Sequence, residues 1–276
     1  MSYPTTTFVN LNIFNDTNKN MLCRREFDFP GGILRPNSRG VNVICNRAEY
    51  SVSNVAMYYN NEDIIYTIRQ AGNPNNILNT YTLKKGFYNS IREMLAEINL
   101  NIATVGEYRL NGDKIEYKSV TPDTETPTRF LFLPYRLYYL LEGFDYDVYT
   151  APDGEKQYII YEKGTAWRTQ EYSTTSRFYN RKSIRVCCYN LYAKTHIENS
   201  NLKGYDHTAL LTDQVLLEGR DKLIYIPTQY RKITLNNINE LSRFTIAVEV
   251  EYANGAIFPL ELAPGTYFSA LLSFEE

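Results

Sequence analysis

Histidine and tryptophan are almost missing from this chain of 276 residues, which has only His196, His207 and Trp167. A nucleophilic site built on imidazole therefore has little material, and His207 has no obvious Ser or Cys partner nearby. His207 follows Asp206 in a glycine-flanked stretch and reads as polar surface. Cysteine is sparse too. Cys23, Cys45, Cys187 and Cys188 form no C-x-x-C pair, and the vicinal pair points to opposite faces of any strand. This excludes the usual zinc spacing and a disulfide framework, and it suits a reducing compartment. Long apolar runs are lacking: none approaches the roughly 18 residues that would span a bilayer. The opening Met1 to Thr5 has no basic segment leading into an apolar one, so no membrane span or export signal is expected. Asn15-Asp16-Thr17 fits a glycosylation sequon, but without export it reads as chance. No phosphate loop, dinucleotide fingerprint, nucleophile elbow or zinc-protease helix occurs. An excess of one charge is missing as well, with 29 Lys and Arg against 31 Asp and Glu, which removes the footprint of a general nucleic-acid binder. The densest basic groups are Arg24-Arg25, Arg35 with Arg39, and Arg177, Arg181, Lys182 and Arg185. They read as solvated faces or loops.

What the chain has instead is tyrosine, 25 of them. Tyr favours strands, and it suits contacts between chains because it buries a large ring while its hydroxyl stays wet. The strongest pattern lies near the end. Phe244, Ile246, Val248, Val250 and Tyr252 alternate with Thr245, Ala247, Glu249 and Glu251, the period-2 signature of a half-buried strand. Asn254-Gly255 then predicts a turn into Ile257–Leu260, and Phe268, Ala270, Leu272 and Phe274 share one face of a further strand. Earlier, Val9, Leu11 and Ile13 line a first strand, Arg24–Phe29 reads as a second, and Val41, Val43 and Cys45 line a third. Tyr50–Tyr59 and Ile64–Arg69 read as two more.

The middle differs. Ser90-Ile91-Arg92-Glu93 is a capping box, and Ile91, Met94, Leu95 and Ile98 follow at helical spacing. Asn111-Gly112 predicts a tight hairpin between Glu107–Leu110 and Asp113–Val120. Arg129–Leu133 reads as a strand and Pro134–Leu141 as a short helix ended by Gly143, with a hairpin through Pro152-Asp153-Gly154 after it. From Ser183 the β style returns, with a strand expected over Ile184–Thr195, then short strands at Leu210-Leu211, Val215–Leu217 and Leu223–Ile226. The reading is a mainly β protein: a discontinuous antiparallel β domain, residues 1–80 plus 180–276, interrupted by an α+β insertion at 81–179. The joints are placed at Asn73-Pro74-Asn75-Asn76 and Ser173-Thr174-Thr175-Ser176.

Chemistry-bearing candidates are few. Asp145 and Asp147 put two carboxylates on one strand face, a spacing that some metal and glycosidase sites use. Trp167 reads as core or interface packing. No catalytic, cofactor-binding or metal residue is assigned, and the protein is read as a non-enzyme. An enzyme built on Asp145, Asp147 or His207 is the least supported alternative.

Several segments together resemble the minor capsid, or penton, proteins of virophages and polinton-like viruses. Lys84-Lys85-Gly86-Phe87-Tyr88, entering a helix that closes with Glu97-Ile98-Asn99, is similar to their G-[FY]-Y, helix, I-N segment. Arg129–Leu133 followed by Leu140-Leu141-Glu142-Gly143-Phe144 resembles their strand, short helix and L-G-F corner, although Glu142 separates Leu from Gly here. Tyr189-Asn190-Leu191-Tyr192, Gly204, Leu210-Leu211, Tyr230 and Ile233 follow their late strand and return. Ile246, Val248, Gly255, Leu260 and Leu271-Leu272 are similar to their terminal strands. The resemblance implies a single antiparallel jelly roll with an insertion domain. It also implies homopentamers at the five-fold vertices of an icosahedral shell, with the major capsid protein as neighbour, a place in the virion after assembly inside the host cell, and no cofactor or specific nucleic acid. A near-neutral, tyrosine-rich surface suits such lateral association. The alternative is a carbohydrate- or receptor-binding β-sandwich module, since jelly rolls also serve as lectins.

Overall fold

A computed structural model describes residues 6–32, 41–189, 191, 208–215, 222–228, 231–235 and 241–275. His196, His207, Arg35, Arg39, Asn190, Tyr192, Gly204 and Tyr230 lie outside these residues, as do Thr195 and Leu217, where two strands were expected to end. The chain forms two compact units, Met1–Val55 with Arg181–Glu276, and Ala56–Asn180.

In chain order the first unit opens with β1 (Thr6–Phe14), β2 (Met21–Leu22), β3 (Arg24–Asp28) and β4 (Asn42–Ser51). The second contains β5 (Tyr58–Asn60), β6 (Ile64–Gln70), β7 (Asn73–Leu83), β8 (Gly86–Tyr88), α1 (Ile91–Ile102), β9 (Gly106–Asn111) and β10 (Lys114–Ser119). It continues with β11 (Arg129–Pro134), α2 (Tyr135–Leu141), β12 (Tyr146–Thr150), β13 (Lys156–Ile160) and β14 (Arg168–Thr169). The first unit resumes with β15 (Arg181–Tyr189), β16 (Thr208–Val215), β17 (Lys222–Tyr225), β18 (Lys232–Thr234), β19 (Arg243–Tyr252), β20 (Ile257–Pro259), β21 (Glu261–Leu262) and β22 (Tyr267–Glu275).

Among the described residues, two larger antiparallel sheets and the short pair β2-β21 make up the first unit. One runs β1-β22-β4, with β17 and β18 sharing the far edge of β4. The other runs β16-β15-β19, with β20 and β3 sharing the far edge of β19. When strands that share an edge are counted as one position, successive strands alternate between the sheets except at β15 and β16, which are neighbours in one sheet, as in a jelly roll. The alternation seen in sequence fixes the register: Val9, Leu11 and Ile13 are buried while their neighbours on β1 face out. Between the sheets Phe244 and Phe274 meet with ring centroids 6.1 Å apart, and the Tyr50 hydroxyl donates across to Gln214 Oε1 at 2.7 Å. The predicted turn after β19 forms around Gly255 at φ 81°.

In the second unit one sheet runs β12-β13-β11-β6-β7 and another β14-β10-β9. Ile91, Met94, Leu95, Ile98 and Ile102 of α1 are buried in one core with Tyr66, Ile115, Leu137 and Leu141. Ser90 caps α1 as expected, its Oγ accepting the Glu93 N–H at 3.1 Å, while the return bond reaches one residue further back, Glu93 Oε2 accepting the Asn89 N–H at 2.7 Å. Gly106 is required by a neighbour, because a Cβ there would overlap the Tyr117 hydroxyl, which donates to the Val105 carbonyl at 3.1 Å.

The units do not divide near residue 80 as expected. Asn73-Pro74-Asn75-Asn76, read as a joint, is the start of β7, and β6 pairs with β11 of the second unit, so both strands belong there. Ser173–Ser176 is not a joint either: Thr174 is fully buried, and its hydroxyl donates to the Leu140 carbonyl at 2.7 Å. Each unit instead ties its own break points together. Asn180 holds the Tyr59 backbone through both its N–H (2.8 Å) and its carbonyl (2.9 Å), and Arg181 donates to the Val55 carbonyl at 3.3 Å. Tyr50 belongs to the third strand of the sequence reading and not to a separate one, because β4 runs unbroken from Asn42 to Ser51.

Candidate functional site

The two faces that the jelly-roll sheets turn outward differ. On the sheet containing β15 and β19 that face is covered. Cys187, Tyr189, Leu210 and Ala247 form a small apolar cluster on it, and the Tyr189 hydroxyl donates to buried Glu249 at 2.9 Å. On the sheet containing β1, β22, β4 and β17 it is open. Phe8 and Phe14 on β1 are 66% and 54% exposed, although they occupy the polar phase of an alternating strand. Phe14 lies opposite Tyr267, and Ser269 opposite Glu49, which in turn lies opposite exposed Ile224 on β17.

At the centre of this open face sits a buried carboxylate. Glu49 accepts from Lys222, from the Tyr267 hydroxyl and from Arg47 Nη2 at 2.7 Å. The Lys222 and Tyr267 hydrogen bonds, aided by the charge of Lys222 and the hydrogen bond from Arg47, outweigh desolvation and hold its pKa at about 2. The four groups come from three strands, so the face has aliphatic and aromatic residues around a carboxylate paired with two cations. No contiguous sequence signal marks it. The only available hint is Phe8 and Phe14 standing where an alternating strand should be polar.

In the second unit the aromatic supply collects around α2. Tyr138 and Tyr158 stack with centroids 4.0 Å apart at 7°, Tyr146 lies 4.9 Å from Tyr138, and Tyr135 and Tyr139 are exposed alongside. A cleft of about 460 Å³ opens here, lined by Tyr138, Tyr146 and Tyr172 with Glu142, Asp145 and Glu162. Burial works to raise the Glu142 carboxyl, but the hydrogen bond from Arg177, with those from Tyr172 and Tyr138, outweighs it and holds the group below the usual carboxylate range.

The structure separates the sequence-level candidates. Asp145 lines the cleft, whereas Asp147 does not and accepts the N–H of its own neighbour Val148 at 2.7 Å. Trp167 lies under two cations, Arg109 at 4.0 Å and Lys118 at 4.7 Å, as a packing surface. Burial raises all four thiols, Cys45 to about 12 and the others further, so none supplies a thiolate. Among the described residues no group of three His, Cys, Asp or Glu side chains is placed to hold a metal ion, and no helix is long and apolar enough to cross a membrane. The basic groups have internal partners. Arg177 pairs with Glu142 and stacks on Tyr139 at 4.1 Å, Lys182 pairs with Glu251 at 2.8 Å, and Arg25 lies over Phe27 at 5.6 Å.

No family model matches the sequence, and no curated protein does. Solved structures do match its fold. The crystal structure of the mavirus penton protein superposes with a TM-score of 0.70 over 98% of this chain and 99% of that one, at 15% identity. A chain in the cryo-EM structure of the Sputnik virophage superposes with a TM-score of 0.66 over 99% and 98%, at 14% identity. The resemblance read from the sequence therefore holds at the level of fold, and over nearly the full length of each chain.

Proposed function

We propose, on the premise of that shared fold, that the protein is a minor capsid protein of an icosahedral virion, forming homopentamers that fill the five-fold vertices and contact the surrounding major capsid protein. The observation that carries this reading is the extent of the likeness: jelly roll and insertion together align with a penton protein over 98% of this chain. The open sheet face supplies a physical reason to associate. Phe8, Phe14, Tyr267 and Ile224 form an apolar rim that a neighbouring copy would cover, and Glu49 at the centre is paired with Lys222 and Arg47, so covering it leaves no unpaired carboxylate, while the net charge of +1 stays on the two half-exposed cations. A ring needs unlike patches that meet head to tail and close by rotation.

Light scattering and electron microscopy of the purified protein test this directly. The expected particle is a ring of about 160 kDa, five times 32.1 kDa, that enters shells when mixed with the major capsid protein. A chain that stays monomeric and also fails to join shells would refute it.

The tyrosine-lined cleft favours a second reading that is compatible with the first, namely glycan or receptor contact by the insertion. Ring faces stack on sugars and carboxylates accept from their hydroxyls. A glycan array probed with the assembled ring, so that avidity is not lost, is expected to return hits that Tyr146→Ala removes. An array blank under those conditions ends this reading.

A further inference from the structure

The larger sheet of the second unit ends on β7, and among the described residues nothing pairs with the outer edge of that strand. Asn75 to Thr80 are exposed without interruption, and from Ala71 to Leu83 there is no charged residue. Sheets usually guard such an edge with Lys, Pro, a bulge or brevity. Here the guards stand only at the start of the strand. Pro74 and two register shifts opposite Arg69 break the ladder there. Arg69 donates to the Pro74 carbonyl at 3.0 Å, and the Tyr149 hydroxyl donates to Asn75 Oδ1 at 2.6 Å, so that this part is bound to its own sheet. Beyond it Ile77 to Leu83 pair with Ile64 to Arg69, and among the described residues no strand pairs with their other edge, which is exposed from Ile77 to Thr80. Every second residue presents an unpaired N–H and C=O there, the chemistry that takes up an extended peptide.

We infer that the free edge of β7 takes a strand from the capsid protein surrounding the vertex, extending the sheet by one antiparallel member. This rests on the vertex reading above, which also decides among the possible occupants. A second copy joined edge to identical edge needs a two-fold axis, and a five-fold ring has none. A ring neighbour that continued the same sheet would have to offer its other edge, β12. Because β7, β6, β11, β13 and β12 alternate in direction, β7 and β12 run the same way. A head-to-tail junction between them is a parallel pair, the weaker ladder, and β12 brings only five residues, one of them Asp147. A strand from the surrounding protein has neither restriction. Its expected chemistry is an extended, uncharged segment with apolar side chains at alternate positions, lying beside Ile77 and Ile65, which share one face of the sheet and are both exposed.

Hydrogen exchange on the full-length protein, free and in particles assembled with the major capsid protein of the same virus, tests the inference. Alternate amides of Ile77–Leu83 are expected to exchange at least about tenfold more slowly in the particle. Leu78→Lys combined with Thr80→Lys, both at exposed positions, is expected to leave the mass and circular dichroism of the free protein unchanged while vertex occupancy falls about tenfold. Vertices filled by wild-type protein whose β7 amides exchange as fast as in the free chain would overturn the inference and leave the vertex reading standing. The same holds if the double-lysine variant fills vertices normally. A free protein that dimerises with β7 already protected would overturn it in favour of a second copy. Vertices that the wild-type protein never fills would bring down both.

Discussion

Replacing Glu49 by Gln keeps the shape of the open sheet face and removes the one charge that Lys222 and Arg47 share. In the folded protein the carboxyl titrates at about 2 instead of its ordinary 4.5. At about 1.36 kcal/mol per pKa unit that difference would be worth about 3 kcal/mol. Lys222 and Arg47 are half exposed, with side-chain accessibilities of 50% and 52%. Solvent screening therefore reduces the expected loss to about 1–2 kcal/mol. The sign follows from the depressed pKa. Above about pH 4.5 Glu49 is ionised in both the folded and the unfolded chain and its contribution is fully present. As pH falls toward 2 the unfolded chain gains the proton first, and the contribution disappears. Urea unfolding of wild type and Glu49→Gln, followed by circular dichroism from pH 7 to pH 2, should show a constant gap down to about pH 5 that closes by about pH 2. A gap that persists unchanged in acid, or none at pH 7, would refute the claim that ionised Glu49 organises this face.

Other outcomes follow from the same contacts. Phe14→Asp with Ile224→Asp, at exposed positions, should leave the protomer folded and shift light scattering from ring to monomer. Gly106→Ala should destabilise the second unit by about 1–3 kcal/mol, because Tyr117 must give way, and Trp167 fluorescence should report the earlier loss of structure. Ser90→Ala should cost about 1 kcal/mol through its lost helix cap, measurable in the same urea titration. Replacing residues 56–180 with a short Gly-Ser linker should leave a protein that melts cooperatively as β structure, since Val55 and Arg181 are already in contact. An aggregated or unfolded chain would count against two separable units.

Local physics made much of the fold legible. The Ser90 cap and the helical spacing of Ile91, Met94, Leu95 and Ile98 act within a few residues and are found where the sequence put them, whereas the hairpin expected to turn at Asn111-Gly112 turns one residue later, at Gly112-Asp113, with Asn111 paired to Lys114. β7 was missed because edge strands are freed from the constraint that makes strands readable: with most of Asn73–Thr80 exposed, no apolar alternation is imposed, and Pro74 among asparagines imitates a linker. The joint was misplaced for the same reason. The open face was out of reach for another, since Glu49, Lys222 and Tyr267 meet only through the pairing of β4 with β17 and β22. Asp145 and Asp147 failed as a pair because the strand begins between them, at Tyr146.

The pairing of β1 with β22, with Thr6 opposite Glu275, also sets an order of events at the ribosome. β1 finds this partner only when β22 has emerged, and loops that long are slow to close. Residues 56–180 form a compact unit of their own, so that unit can fold while synthesis continues, and the jelly roll must wait. During that wait β1, β3 and β4 lack their partners. The early-folding insertion sits in the chain between them and the strands they need, and chaperone demand should peak in that interval.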